Sequence, residues 1–304
     1  MLPYYYSLNE YLLEHFGRKM YKLALNGGMT CPNRDGLIDT RGCIFCSQGG
    51  SGDFAGTAPS ITEQINQGKA LLSGKYRGDA FIAYFQAYTN TYAPVDYLRR
   101  IFMEAVNNES VRILSIATRP DCLSDEVCAL LCELNMIKPV WIELGLQTTN
   151  ENSIQYIRRG YDNSTFTEAV KRLRSMHCCD HIIAHMIVGL PKETPEDMLA
   201  TADFIADNRI DGIKIQLLHV LKGTDLASDY NRGLFSTLSL DRYIDIIEDI
   251  IRTIPPGMVV HRITGDGPKN LLIAPMWSAD KKNVLNTMNR RFKEDNIRQG
   301  LFRK

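Results

Sequence analysis

Seven apolar runs rich in β-branched and aromatic residues recur along the chain, at 21–25, 80–85, 111–117, 140–144, 182–188, 212–218 and 258–263. Near-continuous apolar strands of this kind suit a parallel sheet covered on both faces. Between them lie segments with 3.6-residue spacing, at 61–72, 95–106, 125–134, 165–176, 196–207 and 240–254. Ser124 followed by Asp-Glu, Ser164-Thr, and Thr194-Pro-Glu supply start signals for three of these helices, with Pro195 suited to a first turn. The alternation predicts an α/β fold, a partial or near-complete parallel (β/α) barrel with right-handed crossovers and its chemistry at the C-terminal strand ends. One domain over 1–304 is expected, with a core at 18–265, an N-terminal helix at 7–17 and a C-terminal helical extension at 266–304.

The first strand run leads into CPNRDGLIDTRGCIFC, which holds Cys31, Cys43 and Cys46. The C-x-x-C pair chelates, and Gly36 and Gly42 let the long spacer bend back to bring Cys31 alongside. Thiolates in this place suit zinc or an iron–sulfur cluster. Zinc in a closed site wants a fourth Cys or His, and none lies nearby in sequence. A cubane cluster held by three thiolates keeps one iron open. Both readings stand on the residues alone.

Composition narrows the setting. Lys plus Arg equals Asp plus Glu at 35 each, so no global field advertises a polyanionic partner. The C-terminal stretch 281–304 carries eight basic residues against Glu294 and Asp295, read as a solvated terminal helix or an RNA-binding face. The N-terminus lacks secretory-signal features and no long apolar run occurs, so a cytoplasmic protein without membrane contact is expected. Eight irregularly spread cysteines do not form a secreted disulfide framework. Cys128 and Cys132, four apart on a helix, read as packing residues, as do Cys122 and the vicinal Cys178-Cys179.

The motifs LNGGMTCPNRDG, GCIFCSQGGSGDFAG, ATRPDCL, VWIELGLQT, IRRGYD, AHMIVGLPKET, LLHVLKGTDL and HRITGDGPKNLLIAPMW fall at successive strand ends. On these the chain resembles the radical S-adenosylmethionine (SAM) enzymes. More narrowly, it resembles the YhcC/YtqA-like group, relatives of the radical SAM domain of the elongator catalytic subunit. That resemblance implies a [4Fe–4S] cluster on Cys31, Cys43 and Cys46, with SAM on the open iron. It implies one-electron cleavage of SAM to a 5′-deoxyadenosyl radical.

Carried over position by position, Phe45 matches an aromatic against adenine, Gln147 a ribose-binding glutamine and Arg159 an arginine for the SAM carboxylate. His185 stands where a ribose-binding aspartate is found, and Gly189-Leu190-Pro191 fits an adenine-side turn. The Gly-Gly-Glu of many relatives is replaced by YFQAYTNTY, so backbone near Gln86 and Ala87 is assigned to the methionine amine, with Gln86 and Thr89 as polar alternatives. A glutamate found in a related oxidase is Ala117 here, leaving Arg119 and Asp121 to line the site or pair with each other.

Strand parity puts Glu143 on one face with Gly145 and Gln147, and a carboxylate inside a barrel is costly unless used or paired. Glu143, His219 and Lys222 are therefore the candidate substrate-facing or catalytic side chains. The resemblance also implies tRNA as substrate, with conversion of 5-carboxymethylaminomethyl(-2-thio)uridine at the wobble position into 5-aminomethyl(-2-thio)uridine. Tyr84, Tyr88, Tyr92 and Trp277 are stacking candidates, and His261, Arg262 and Lys269 candidates for an anionic group. An electron donor such as flavodoxin or ferredoxin is expected. Radical chemistry on a small metabolite or a protein, and a structural zinc barrel, are the alternatives.

Overall fold

The computed structural model describes residues 4–50, 52–74, 76, 78–265 and 267–303. The chain opens with α1 (Leu8–Phe16), capped by Ser7 and closed by Gly17, followed by β1 (Tyr21–Leu25). Four further strand and helix steps follow: α2 (Ile61–Leu72), β2 (Phe81–Phe85), α3 (Val95–Val106), β3 (Val111–Thr118), α4 (Asp125–Asn135), β4 (Val140–Gln147), α5 (Glu151–Ile157) with α6 (Asn163–Ser175), and β5 (His181–Val188). Then come α7 (Pro195–Asp207), β6 (Gly212–Leu217), β7 (Val220–Leu221), α8 (Asp225–Asn231), α9 (Leu240–Thr253), β8 (Val259–Arg262), β9 (Leu272–Ala274) and α10 (Lys281–Glu294).

Strands β1 to β6 and β8 pair in chain order, all parallel, into a seven-stranded curled half-barrel. The predicted alternation and its C-terminal helix are present. Two short helices, α5 and α8, and the antiparallel pair β7·β9 are additions to the expected elements. The helix expected to start at Ser164 starts two residues earlier, because Asp162 rather than Ser164 accepts the Thr165 amide. Among the described residues no helix is long and apolar enough to cross a membrane.

Alternation along the strands sorts the side chains. Val140, Ile142, Leu144 and Leu146 of β4, and Ile182, Ala184, Met186 and Val188 of β5, pack outward against the helices in one large core. The opposite parity faces the barrel interior, which is layered. At the bottom, Ile82, Ile113, Trp141 and Ile183 form an apolar plug closed by Leu12 of α1 and Met20. This arrangement removes α1 from the function question: it stoppers the N-terminal end of the barrel and leaves the C-terminal end open.

Candidate active site

The spacer between Cys31 and Cys43 is folded back by its own backbone. The Gly42 amide donates to the Asn33 carbonyl at 2.7 Å, and that of Ile38 to the Pro32 carbonyl at 2.9 Å. Gly42 has φ of +76°, and a Cβ there would stand 2.9 Å from Nε of Arg34. Arg34 in turn donates to the Cys46 and Ser47 carbonyls at 3.1 and 2.6 Å, which ties the spacer to the chelating pair. Asn33 anchors the loop from below, donating to the Arg158 carbonyl at 2.7 Å and reaching the Cys43 Sγ at 3.4 Å.

All three thiols line one end of a cavity of about 190 Å³ that descends into the barrel. Phe45, Gln86, Tyr88, Thr89, Arg119, Gln147, Arg159 and Tyr161 form its walls, and Tyr84, Glu143, His185 and Lys214 its floor. Phe45, Gln86, Ile187, Gln216 and Arg262 are shared with an adjoining cavity of about 120 Å³.

Arg159 is nearly fully buried, and four of its five N–H groups are spent on the Tyr161, Leu146 and Thr148 carbonyls and on Asn163 Oδ1. These bonds fix the end of β4, where a bulge and a left-handed Gln147 (φ +63°) turn the strand into the cavity wall. The expected carboxylate-binding fork of Arg159 is thus reduced to one remaining N–H. The Tyr161 ring sits between the Arg119 and Arg159 guanidinium groups, 4.8 and 4.6 Å from them. Arg119 forks onto Asp121 at 2.9 and 2.7 Å, so it holds its loop while also lining the cavity, whereas Asp121 lines a separate groove. Arg158 is half-buried and paired with Asp225 at 2.7 Å.

Glu143 is fully buried and takes four donors: Lys22 Nζ at 2.5 Å, Ser115 Oγ at 2.7 Å, His185 Nε2 at 2.7 Å and Lys214 Nζ. Burial alone would push its carboxyl up, but Lys214 and Lys22, with the His185 hydrogen bond, hold it well below the usual carboxylate range. Burial, reinforced by Lys214, pushes the His185 imidazole down to about 4, so the ring is neutral at neutral pH. A carboxylate with every lone pair engaged does not abstract protons. Glu143 thus lines the cavity floor as expected of a substrate-facing side chain, with its lone pairs engaged by neighbours.

Other expected residues stand apart from the cavity. β6 ends at Leu217 and the chain peels away as β7, so Lys222 is exposed beyond the barrel and lines neither cavity. His219 lines the adjoining cavity, 3.2 Å from Ser278 Oγ. Ala87, Gly189 and Leu190 do not line the main cavity: Ala87 packs under Gly52, and Leu190 joins a small core with Ile44 and Ile187. Trp277 donates to the Leu238 carbonyl at 2.9 Å and packs on Tyr243, leaving no face for stacking from that side. Tyr92 and Cys122 line a separate groove, His261 meets His181 at 2.9 Å below the floor, and Lys269 is exposed. Cys128 and Cys178 are core residues, with Cys132 Sγ 3.2 Å from Cys178 Sγ.

The sequence reading passed over Arg34, Tyr161, Lys22, Ser115, Lys214 and Gln216. For the last four a signal was present: each polar residue sits at interior parity in an otherwise apolar strand run.

Beyond the turn at Gly189, burial pushes the Glu193 carboxyl up from 4.5 to about 7, against hydrogen bonds from Thr148 and Ser153. The folded state therefore keeps a proton that the unfolded chain has released. The stability this brings is complete below the unfolded value and lost as pH rises through about 7. Glu193→Gln keeps a neutral side chain at every pH and is expected to raise Tm over wild type at about pH 8 and to leave it unchanged at about pH 5. Equal shifts in melting scans at both pH values would contradict this.

Residues 40–205 match the radical SAM superfamily and residues 210–294 the radical SAM C-terminal domain. The chain belongs to the radical SAM superfamily. Within it the chain falls in the YhcC/YtqA-like group: YtqA of Bacillus subtilis (strain 168) is 46% identical over 98% of this chain and 92% of that protein. A tRNA uridine(34) acetyltransferase of Dehalococcoides mccartyi (strain CBDB1) is 26% identical over 56% of this chain and 37% of its own length. Among solved structures, Methanocaldococcus infernus Elp3 lacking residues 1–46 shares the fold with a TM-score of 0.69 at 17% identity, over 92% of this chain and 64% of that one.

Radical SAM enzymes use a [4Fe–4S] cluster and SAM, and the residues present fit both. The cavity offers three thiols and no fourth thiol or free imidazole, since His185 is bonded to Glu143 and Gln216. A closed zinc site takes four such donors, one more than the three thiols at this end of the cavity. Burial, with Cys46 and Cys31 beside it, pushes the Cys43 thiol up to about 12. Crowded buried thiols of this kind are donors that an iron cluster, by displacing their protons, turns into ligands.

Proposed function

We propose that this radical SAM enzyme modifies the wobble uridine of tRNA, converting 5-carboxymethylaminomethyl(-2-thio)uridine into 5-aminomethyl(-2-thio)uridine, with Cys31, Cys43 and Cys46 as the cluster ligands. The observation that carries the reading is one continuous cavity running from three thiols to a buried polar floor that presents Lys214 inside the half-barrel. The acetyltransferase relative, named for uridine 34 of tRNA, supports the RNA class.

When bound, the cluster and SAM supply a carbon radical able to abstract hydrogen from an unactivated C–H. The chain's own residues do the rest. Arg34 and Asn33 hold the cysteine loop, and Phe45 roofs the cavity beside it. The Arg119–Tyr161–Arg159 stack makes a rigid wall against which SAM is oriented. The closed bottom excludes water from the radical's path. The nucleotide enters flipped out of its stack from the open barrel end, so that the methylene beside its amine meets the reactive carbon. Loss of a hydrogen atom and then an electron from that methylene, with SAM as the two-electron oxidant, leaves an imine whose C–N bond water splits into the aminomethyl nucleoside and glyoxylate.

An exposed basic row on α10, with Lys282, Arg290 and Lys293, is available to phosphates, whereas Arg291 is committed to Asp245 and Asp295. A flavodoxin- or ferredoxin-type protein serves as electron donor. The test is a comparison of modified nucleosides in tRNA from cells with and without the gene. The carboxymethylaminomethyl form is expected to accumulate and the aminomethyl form to disappear. Unchanged wobble uridines would sink the tRNA assignment.

A further inference from the structure

Six strands each place one polar side chain at the same interior level: Lys22, Tyr84, Ser115, Glu143, His185 and Lys214. This layer sets two lysines against one carboxylate, with a neutral imidazole, so its basic groups exceed its anions by one. Glu143 cannot absorb the excess, because its two oxygens already take four donors.

The two lysines differ in what they face. Lys22 turns onto Glu143 and over the Tyr84 ring at 4.6 Å, and it does not line the cavity. Lys214 does line it, with a side chain only 8% exposed. Its Nζ donates to Glu143 and to the Tyr84 hydroxyl at 3.1 Å, so the third ammonium hydrogen has no acceptor among the described residues. Gln216 stands one interior step above it on β6, and Arg262 is its partner in register on β8; both line the cavity too.

An uncompensated charge in so dry a place is expensive, and a ligand anion is the natural remedy. Burial above all, with Lys22 and Arg262 nearby, pushes the Lys214 ammonium well below its ordinary range, against the pull of Glu143. A carboxylate arriving opposite that third hydrogen supplies both the missing acceptor and the missing negative charge.

We propose that the cavity floor is a carboxylate subsite in which Lys214 receives the substrate's carboxylate. This rests on the substrate reading above and deepens it. The carboxylate is the group that the substrate has and the product lacks. Held by Lys214, it fixes the adjoining methylene at a set depth in the barrel, and once the bond from that methylene to the amine is broken it leaves with the two-carbon oxoacid and frees the nucleoside product.

The test is equilibrium binding to the full chain, by calorimetry, of the nucleoside 5-carboxymethylaminomethyluridine and of its carboxamide, which removes only the charge. Wild type is expected to prefer the acid by about tenfold or more, a difference of about 1.4 kcal/mol. Lys214→Met is expected to erase the preference and Lys214→Arg to keep most of it, with SAM affinity unaltered in both. A preference that survives in Lys214→Met overturns the proposal. Should that variant fail to fold, Lys214→Gln answers instead: it keeps a donor for Glu143 and the Tyr84 hydroxyl while removing the charge, and an acid preference that survives in it overturns the proposal equally. A wild type that binds acid and amide alike overturns the carboxylate subsite, while the tRNA reading still stands or falls on the nucleoside comparison in cells.

Discussion

Replacing Cys43 by alanine is expected to remove the brown iron–sulfur absorption and to lower 5′-deoxyadenosine formation by a thousandfold or more, about 4 kcal/mol in barrier terms. Cys43 is held between the Asn33 amide and the Arg158 carbonyl, which fixes its thiol at the end of the cavity. Cys132→Ala is the matched control. That thiol lies against Cys178 and the Met176 carbonyl on the helical side of the sheet, and its loss is expected to leave iron content and SAM cleavage at wild-type levels. Anaerobic iron assay and product chromatography read both variants. Retention of iron and turnover by Cys43→Ala would remove the cluster assignment from this loop.

That contrast between two sets of cysteines was legible from order alone. Cys31, Cys43 and Cys46 follow the first strand of a βα series, where a barrel builds its chemistry, whereas Cys128 and Cys132 share a helix with apolar neighbours. The strands were legible for a related reason. Outward residues such as Ile142 and Leu144 are apolar because helices cover them, and that regularity survives in a single sequence.

Interior residues obey a different rule. Glu143 drew notice because a lone carboxylate in a strand is costly, but its partners come from β1, β3, β5 and β6, and such long-range pairing leaves no local trace. Lys22 in YKLAL and Lys214 in GIKIQL were in plain view as breaks in apolar runs at interior parity. Lys222 misled for the opposite reason. Its motif continues the sixth strand run, yet β6 ends at Leu217 and the pairing of β7 with β9 carries the lysine out of the barrel. Arg159, expected at the SAM carboxylate, lines the cavity, while the number of carbonyls competing for its guanidinium depended on how the end of β4 bulges.

Glu143→Leu is expected to destabilise the protein by about 3–5 kcal/mol, the usual cost of leaving a buried charge without its counterion. The loss is not that of one salt bridge. Two ammonium groups, a hydroxyl and an imidazole N–H all lose their common acceptor, and only Lys22, with 19% of its side chain exposed, has a route to water. Lys214, at 8%, keeps little hydration at the cavity floor, and without Glu143 burial drives it further toward its neutral form. The variant's unfolded state then binds more protons at Lys214 than its folded state, so its stability rises with pH, and the gap to wild type is expected to narrow as pH rises toward the ordinary lysine range. Adding Lys214→Met to Glu143→Leu removes the stranded charge and is expected to recover at least half of the loss, although each substitution alone destabilises. Urea unfolding of the two single variants and the double variant measures that coupling. A cost below about 1 kcal/mol for Glu143→Leu, or strict additivity in the double variant, would mean that the six-residue layer is not the electrostatic unit its geometry describes.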